Sequence, residues 1–145
     1  MEPSSRESAG YLLGSVLAIA VSLLAKFVGL DRDRAFYPTV LIVIATYYVL
    51  FAAIGGTTQA LLLESAMMTL FLVAAVAGFK FNLWMVVAAL AGHGVFDFFH
   101  CHLITNAGVP TWWPSFCLAY DACAGGYLAW LLSRSKERAP SVQLK

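Results

Sequence analysis

Charge is what this chain has least of. Among 145 residues there are nine Lys or Arg and eight Asp or Glu, 12% in all. A water-soluble domain carries about 25% charged residues, so there is too little polar surface here for a soluble fold of this size. Cysteine is also sparse. Cys101, Cys117 and Cys123 show no C-x-x-C spacing and do not suggest a disulfide framework. One pairing, Cys101 with Cys117, stays open for an oxidising compartment. No basic stretch interleaved with aromatics is present, so nucleic acid is not an expected partner. No small-x-small cleavage site precedes Asp31, and the first apolar run is too long for a signal peptide, so it is expected to be a retained helix.

What the chain has instead is apolar sequence: 61% of its residues, with a mean hydropathy of +0.78. Five hydrophobic segments emerge at about 10–30, 38–55, 58–79, 82–103 and 115–133, each near the ~20 residues a membrane span needs. The expected fold is an all-α, polytopic membrane bundle of five transmembrane helices in a single domain, with 134–145 as a tail. The breaks between segments have turn chemistry. Asp31-Arg32-Asp33-Arg34 is too charged for lipid, and these four are expected to pair with one another. Pro38 suits a first helical turn. Gly55-Gly56-Thr57-Thr58 supplies a turn and a capping hydroxyl, and Asn82 can cap the fourth helix. The segment from Asn106 to Pro114 reads as a loop pinned by Pro110, Pro114, Trp112 and Trp113.

Five spans with the C-terminus in the cytoplasm put Lys26, Arg32, Arg34, Lys80, Arg134, Lys136, Arg138 and Lys145 on the inner side and only Arg6 outside. That split is what the positive-inside rule demands. The expected topology is N-terminus outside and C-terminus cytoplasmic, in a bacterial inner membrane. Small residues recur four apart at Gly10/Gly14, Ala74/Gly78, Ala88/Gly92 and Ala122/Gly126, a spacing that lets helix backbones approach closely. They serve packing within the bundle, or a homo-oligomer through Gly10/Gly14.

The fourth segment contains His93-Gly-Val-Phe-Asp97-Phe-Phe-His100. At about 100° per residue these three ionisable side chains fall within roughly 60° of one helix face. Ionisable groups inside a span are costly and by default mark a functional site. In the proposed topology Asp97, Asp121 and Glu64 each lie about six residues below the outer ends of their helices, at one depth roughly 9 Å down. Cys117 is one turn from Asp121 on the same face, Tyr120 is adjacent, and Asn106 can lean over the group. His102 points away. Tyr47 and Tyr48 read as packing residues with one hydrogen bond each.

Imidazole and carboxylate together are ordinary ligands for Zn²⁺, Fe²⁺ or Mn²⁺. The expected metal ligands are His93, Asp97, His100, Asp121 and Cys117, and the expected catalytic carboxylates are Asp97, Asp121 and Glu64. His93 and His100 are separated by about 10.5 Å of helical rise. One of them is therefore the more natural partner of Asp97, and the other a hydrogen-bonding neighbour. Three uses compete: a membrane-embedded metal-dependent enzyme, such as a hydrolase acting on an apolar or lipidic substrate; a structural or sensory module in which the cluster locks helices or binds a ligand; and a proton or metal-ion transporter. The inner halves of the last three helices offer few polar side chains, whereas conduction needs them on both sides of a site. The expectation is a pocket opening outward.

The residues His93, Asp97, His100, Asn106, Pro110, Cys117 and Asp121 form a pattern, H-x3-D-x2-H, then Asn and Pro, then C-x3-D, that resembles a family of small bacterial integral membrane proteins known only as a domain of unknown function. The resemblance covers the last two helices, about a third of the chain. Phe96 stands where that pattern has tryptophan, and Trp112-Trp113 is a further departure. It implies that these residues form one site. It implies no activity.

Overall fold

The computed structural model describes residues 5–137; the tail expected at 134–145 is helical up to Glu137, and 138–145 lie outside the described residues. It is all-helical: α1 spans Ser5–Val28, α2 Phe36–Gly55, α3 Thr58–Lys80, α4 Trp84–Leu103 and α5 Trp113–Glu137, with a 3₁₀ turn at Leu30–Arg32 between α1 and α2. All five helices are long and apolar enough to cross a membrane. Among the described residues, their large apolar side chains are exposed more often than they are buried. Phe27 is 91% exposed, and Leu12, Ile54, Leu62, Phe81 and Phe98 are exposed too. So much apolar surface is not tolerated by a monomer in water.

Helix α5 is the centre of the bundle. It packs against α1 on one side and α4 on the other; α4 also meets α3, and α3 pairs with α2. Helices α1 and α2 do not pack on each other among the described residues, and a groove runs between them down to α5.

Helix α1 lies against α5 through a stripe of small buried residues, Gly10, Gly14, Ala18, Ser22 and Ala25. A Cβ on Gly14 would stand 2.1 Å from the carbonyl oxygen of Phe116, and one on Gly10 would stand 2.6 Å from that of Trp112. These glycines therefore serve contact within the chain. The other small-residue pairs differ: Gly78 packs closely on Val86, but Gly92 and Gly126 face open space, so the expected close approach at Ala88/Gly92 and Ala122/Gly126 does not occur there.

Local capping follows the residues anticipated for it. Thr57 Oγ1 accepts from the Ala60 N–H at 3.1 Å, and Asn82 Oδ1 accepts from the Trp84 N–H at 3.0 Å. Two local expectations are corrected. Trp113 and Pro114 belong to the first turn of α5 rather than to the loop, as a proline there costs no backbone donor. The Asp31–Arg34 segment is not a set of mutual ion pairs. Asp33 Oδ1 accepts from the Ala35 N–H at 2.9 Å, and Arg34 donates from Nε to the Phe79 carbonyl at 2.5 Å. The guanidinium thus satisfies the open C-terminal end of α3, where both the unpaired carbonyls and the helix dipole favour a cation.

Candidate metal centre

On α4 the buried positions His93, Gly94, Phe96, Asp97 and His100 alternate with the exposed Val95, Phe98, Phe99 and His102. The helical period therefore turns all the ionisable groups inward except His102, which faces out as expected. Helix α3 contributes Glu64, α5 contributes Asp121 and Cys117, and α2 contributes Tyr48; each is buried. Glu64, His93, Asp97, His100 and Asp121 are no more than 1% exposed.

These side chains form two groups. In the first, His93 Nδ1 lies 2.7 Å from Asp121 Oδ2 and 3.2 Å from Asp97 Oδ2. One ligand atom from each of His93, Asp97 and Asp121 lies within 4.8 Å of the other two. In the second, His100 Nε2 lies 2.7 Å from Glu64 Oε1, and the Asn106 amide donates to that same oxygen at 3.0 Å. The loop after α4 folds back to make this possible. Gly108 N–H donates to Asn106 Oδ1 at 3.2 Å. A side chain at Gly108 would drive into the Phe51 carbonyl oxygen, 2.0 Å from an added Cβ, so only glycine lets the loop seat on the end of α2.

Tyr48 joins the two groups. Its hydroxyl donates to Asp97 Oδ1 at 2.7 Å, and its backbone carbonyl accepts from Asn106 Nδ2 at 3.3 Å. The one hydrogen bond expected of Tyr48 as a packing residue is thus made to a site carboxylate. The depth argument applied to α2 would have found it, because Tyr48 lies seven residues before the Gly55 end of α2, close to the level of Asp97.

His100 and Cys117 thus stand outside the three-residue group. His100 is committed to Glu64, as its separation from His93 along the helix requires. Cys117 is buried and free, while Cys101 is exposed and also free; the two do not form a disulfide. Both tryptophans of the loop region pack together with Phe116, with Trp112 and Trp113 centroids 5.5 Å apart.

The charge inventory decides what the first group can do. Among the described residues no Lys or Arg makes an ion pair with Asp97, Asp121 or Glu64. One imidazole faces two carboxylates, and Asp97 Oδ2, Asp121 Oδ1, Glu64 Oε2 and the His100 Nδ1 atom are buried without a hydrogen-bond partner. Asp97 Oδ2 is close to His93 but off the line of its N–H. Buried carboxylates short of donors are costly, and either a shared proton or a bound cation would relieve that cost. Tetrahedral ligands at ~2.1 Å from an ion stand about 3.4 Å apart; His93 Nδ1 and Asp97 Oδ2 at 3.2 Å are close to that, whereas His93 and Asp121 at 2.7 Å hold hydrogen-bond spacing and would move apart to admit an ion. The donor set suits Zn²⁺, Fe²⁺ or Mn²⁺.

No family model matches this chain, and no curated protein or solved structure does. The resemblance noted above therefore rests on its own seven residues.

Proposed function

We propose that this chain is an integral membrane protein that binds one divalent cation at His93, Asp97 and Asp121, and that the ion supports a metal-dependent reaction on an apolar or lipidic substrate. The observation that carries the metal reading is the uncompensated pair of buried carboxylates on one imidazole. A divalent cation would neutralise both acids and occupy their free oxygens. Three protein ligands leave coordination positions for water or substrate, which is the arrangement of catalytic rather than structural sites. Glu64, with one free oxygen, is the nearby carboxylate suited to general-base work.

The apolar groove between α1, α2 and α5, a cavity of about 470 Å³ with Cys117 and Tyr120 in its wall, supports an apolar ligand reaching the level of the site from the side. A smaller cavity of about 220 Å³ at the loop end is lined by His100 and Asn106 and supports access for water. Transport is disfavoured. Between the acids and the basic end of the bundle, Leu41, Ala75, Val86, Leu90 and Leu128 are buried together, and the polar groups of that half, such as Ser22 and the Tyr37 and Tyr127 hydroxyls, carry no charge to pass an ion along.

A second reading, a hydrogen-bonded helix lock without metal, is favoured by the near-complete burial of all five ionisable side chains. Metal analysis of protein purified without chelator separates the two. The metal reading expects one divalent ion per chain, lost in Asp97→Ala and in Asp121→Ala. Metal-free protein that folds and melts normally would establish the lock.

A further inference from the structure

A second site lies at the opposite end of the bundle. There the end of α1, the 3₁₀ turn, the start of α2 and the last turns of α5 enclose a cavity of about 610 Å³. Four cations line it, Lys26, Arg32, Arg34 and Arg134, against two acids, Asp31 and Asp33. Asp33 is engaged by the Ala35 N–H, and Arg34 by the carbonyls of Phe79 and Gly78. Among the described residues none of Lys26, Arg32, Arg34 and Arg134 is within ion-pair distance of Asp31 or Asp33. Lys26, Arg32 and Arg134 therefore bring to one cavity more positive charge than its two acids, Asp31 and Asp33, offset.

The geometry of Arg134 is specific. Its guanidinium carbon sits 4.8 Å from the centroid of the Trp130 ring. An arginine held over an indole keeps its N–H edge available, and that edge matches two oxygens of a phosphate. The cavity is also half apolar. Leu83, Leu128, Leu131 and Leu132 share its wall with the cations, and beside Lys26 the exposed Phe27 and Val28 continue an apolar surface outward. A free phosphate needs only the cations. A phosphate carried on a glycerol with acyl chains uses the leucines as well. The position agrees: this is the end where positive charges gather, the level at which lipid headgroups meet a membrane helix bundle.

We propose that this cavity binds the headgroup of an anionic phospholipid, with Lys26, Arg32 and Arg134 on the phosphate and the leucine wall against the glycerol and upper chains. This site is separate from the metal centre and does not depend on it.

The test is native mass spectrometry of the full chain with added phosphatidylglycerol or phosphatidylcholine of the same chains, in parallel with the R32Q/R134Q double variant. Phosphatidylglycerol is expected to be retained in preference to phosphatidylcholine. The double variant should bind it about 25-fold more weakly, at roughly fivefold per basic residue removed. Millimolar inorganic phosphate should not displace it. Equal retention of both lipids, unchanged binding by the double variant, or displacement by phosphate would each overturn the proposal, the last by showing a site for the free anion. If the double variant melts early in phosphatidylcholine, Lys26→Gln replaces it; that side chain is exposed, and its expected loss is about fivefold.

Discussion

The ring of Tyr48 lies stacked on the imidazole of His100, with centroids 4.1 Å apart and planes 21° apart. From that position its hydroxyl reaches Asp97. One residue of α2 therefore touches both polar groups of the interior, holding the Glu64–His100 pair through its ring and the Asp97–His93–Asp121 group through its oxygen. The two groups are neighbours with different partners, and they should respond differently to substitution.

Tyr48→Phe keeps the stacked ring and removes only the donor to Asp97 Oδ1. A carboxylate oxygen is then left bare in a dry interior, at a cost of about 1–2 kcal/mol. Hydrogen-bond partners of ligating carboxylates also tune the metal, by 10- to 100-fold in affinity as a rule. If the proposed site holds a divalent ion, the expected result is a protein that still folds, melts a few degrees lower and binds that ion at least about tenfold more weakly. Titration with Zn²⁺ or Mn²⁺, followed by isothermal calorimetry, reads this directly. Unchanged affinity would place the ion away from Asp97.

Glu64→Ala should separate stability from metal binding. Removing the carboxylate strips the buried His100 Nε2 of its partner and takes one of two acceptors from the half-buried Asn106 amide, which keeps the Tyr48 carbonyl, at a cost of about 1–3 kcal/mol. Metal content should stay at one ion per chain, because Glu64 is not among the three converging ligands. His100→Ala is expected to behave alike. Loss of metal in either variant would enlarge the centre to include the second pair and restore His100 as a ligand.

Most of this architecture is legible in the chain before any coordinates. Long apolar runs broken by Asp31–Arg34, Gly55–Gly56 and Asn82 determine five helices because each break supplies a cap or a charge that lipid rejects. The inward face of α4 follows from the spacing of His93, Asp97 and His100 alone. What the spacing could not tell is how the acids divide among the imidazoles, since that depends on the rotation of α3 and α5 about their own axes. The role of Tyr48 was hidden for a different reason: a tyrosine in an apolar run is compatible with plain packing, and only its depth distinguishes it. The Asp31–Arg34 segment misled because adjacent opposite charges invite pairing, whereas the backbone ends of α2 and α3 compete for the same side chains and win.

The orientation expected from the charges can be checked with fusion proteins. If the basic end faces the cytoplasm, a C-terminal green fluorescent protein fusion should fluoresce in a bacterial host. Alkaline phosphatase fused after Ala107, in the loop at the opposite end, should be active. A dark C-terminal fusion together with an inactive loop fusion would invert the bundle and place the metal centre near the inner face.

Gly14 tests the packing of α1 on α5. With the Phe116 carbonyl oxygen only 2.1 Å from where a Cβ would stand, the obstacle is backbone on a neighbouring helix and cannot rotate aside. Gly14→Leu must therefore push α1 away along its whole small-residue stripe, and a loss of about 1–3 kcal/mol or more is expected. Gly92→Ala is the matched control. Nothing lies within 4 Å of a Cβ there, so the change should be neutral or stabilising by less than about 1 kcal/mol. Thermal unfolding in one detergent compares the pair. If Gly14→Leu melts with the unsubstituted protein while an oligomer dissociates, the stripe faces a second copy and the contact with α5 is not the one that holds α1.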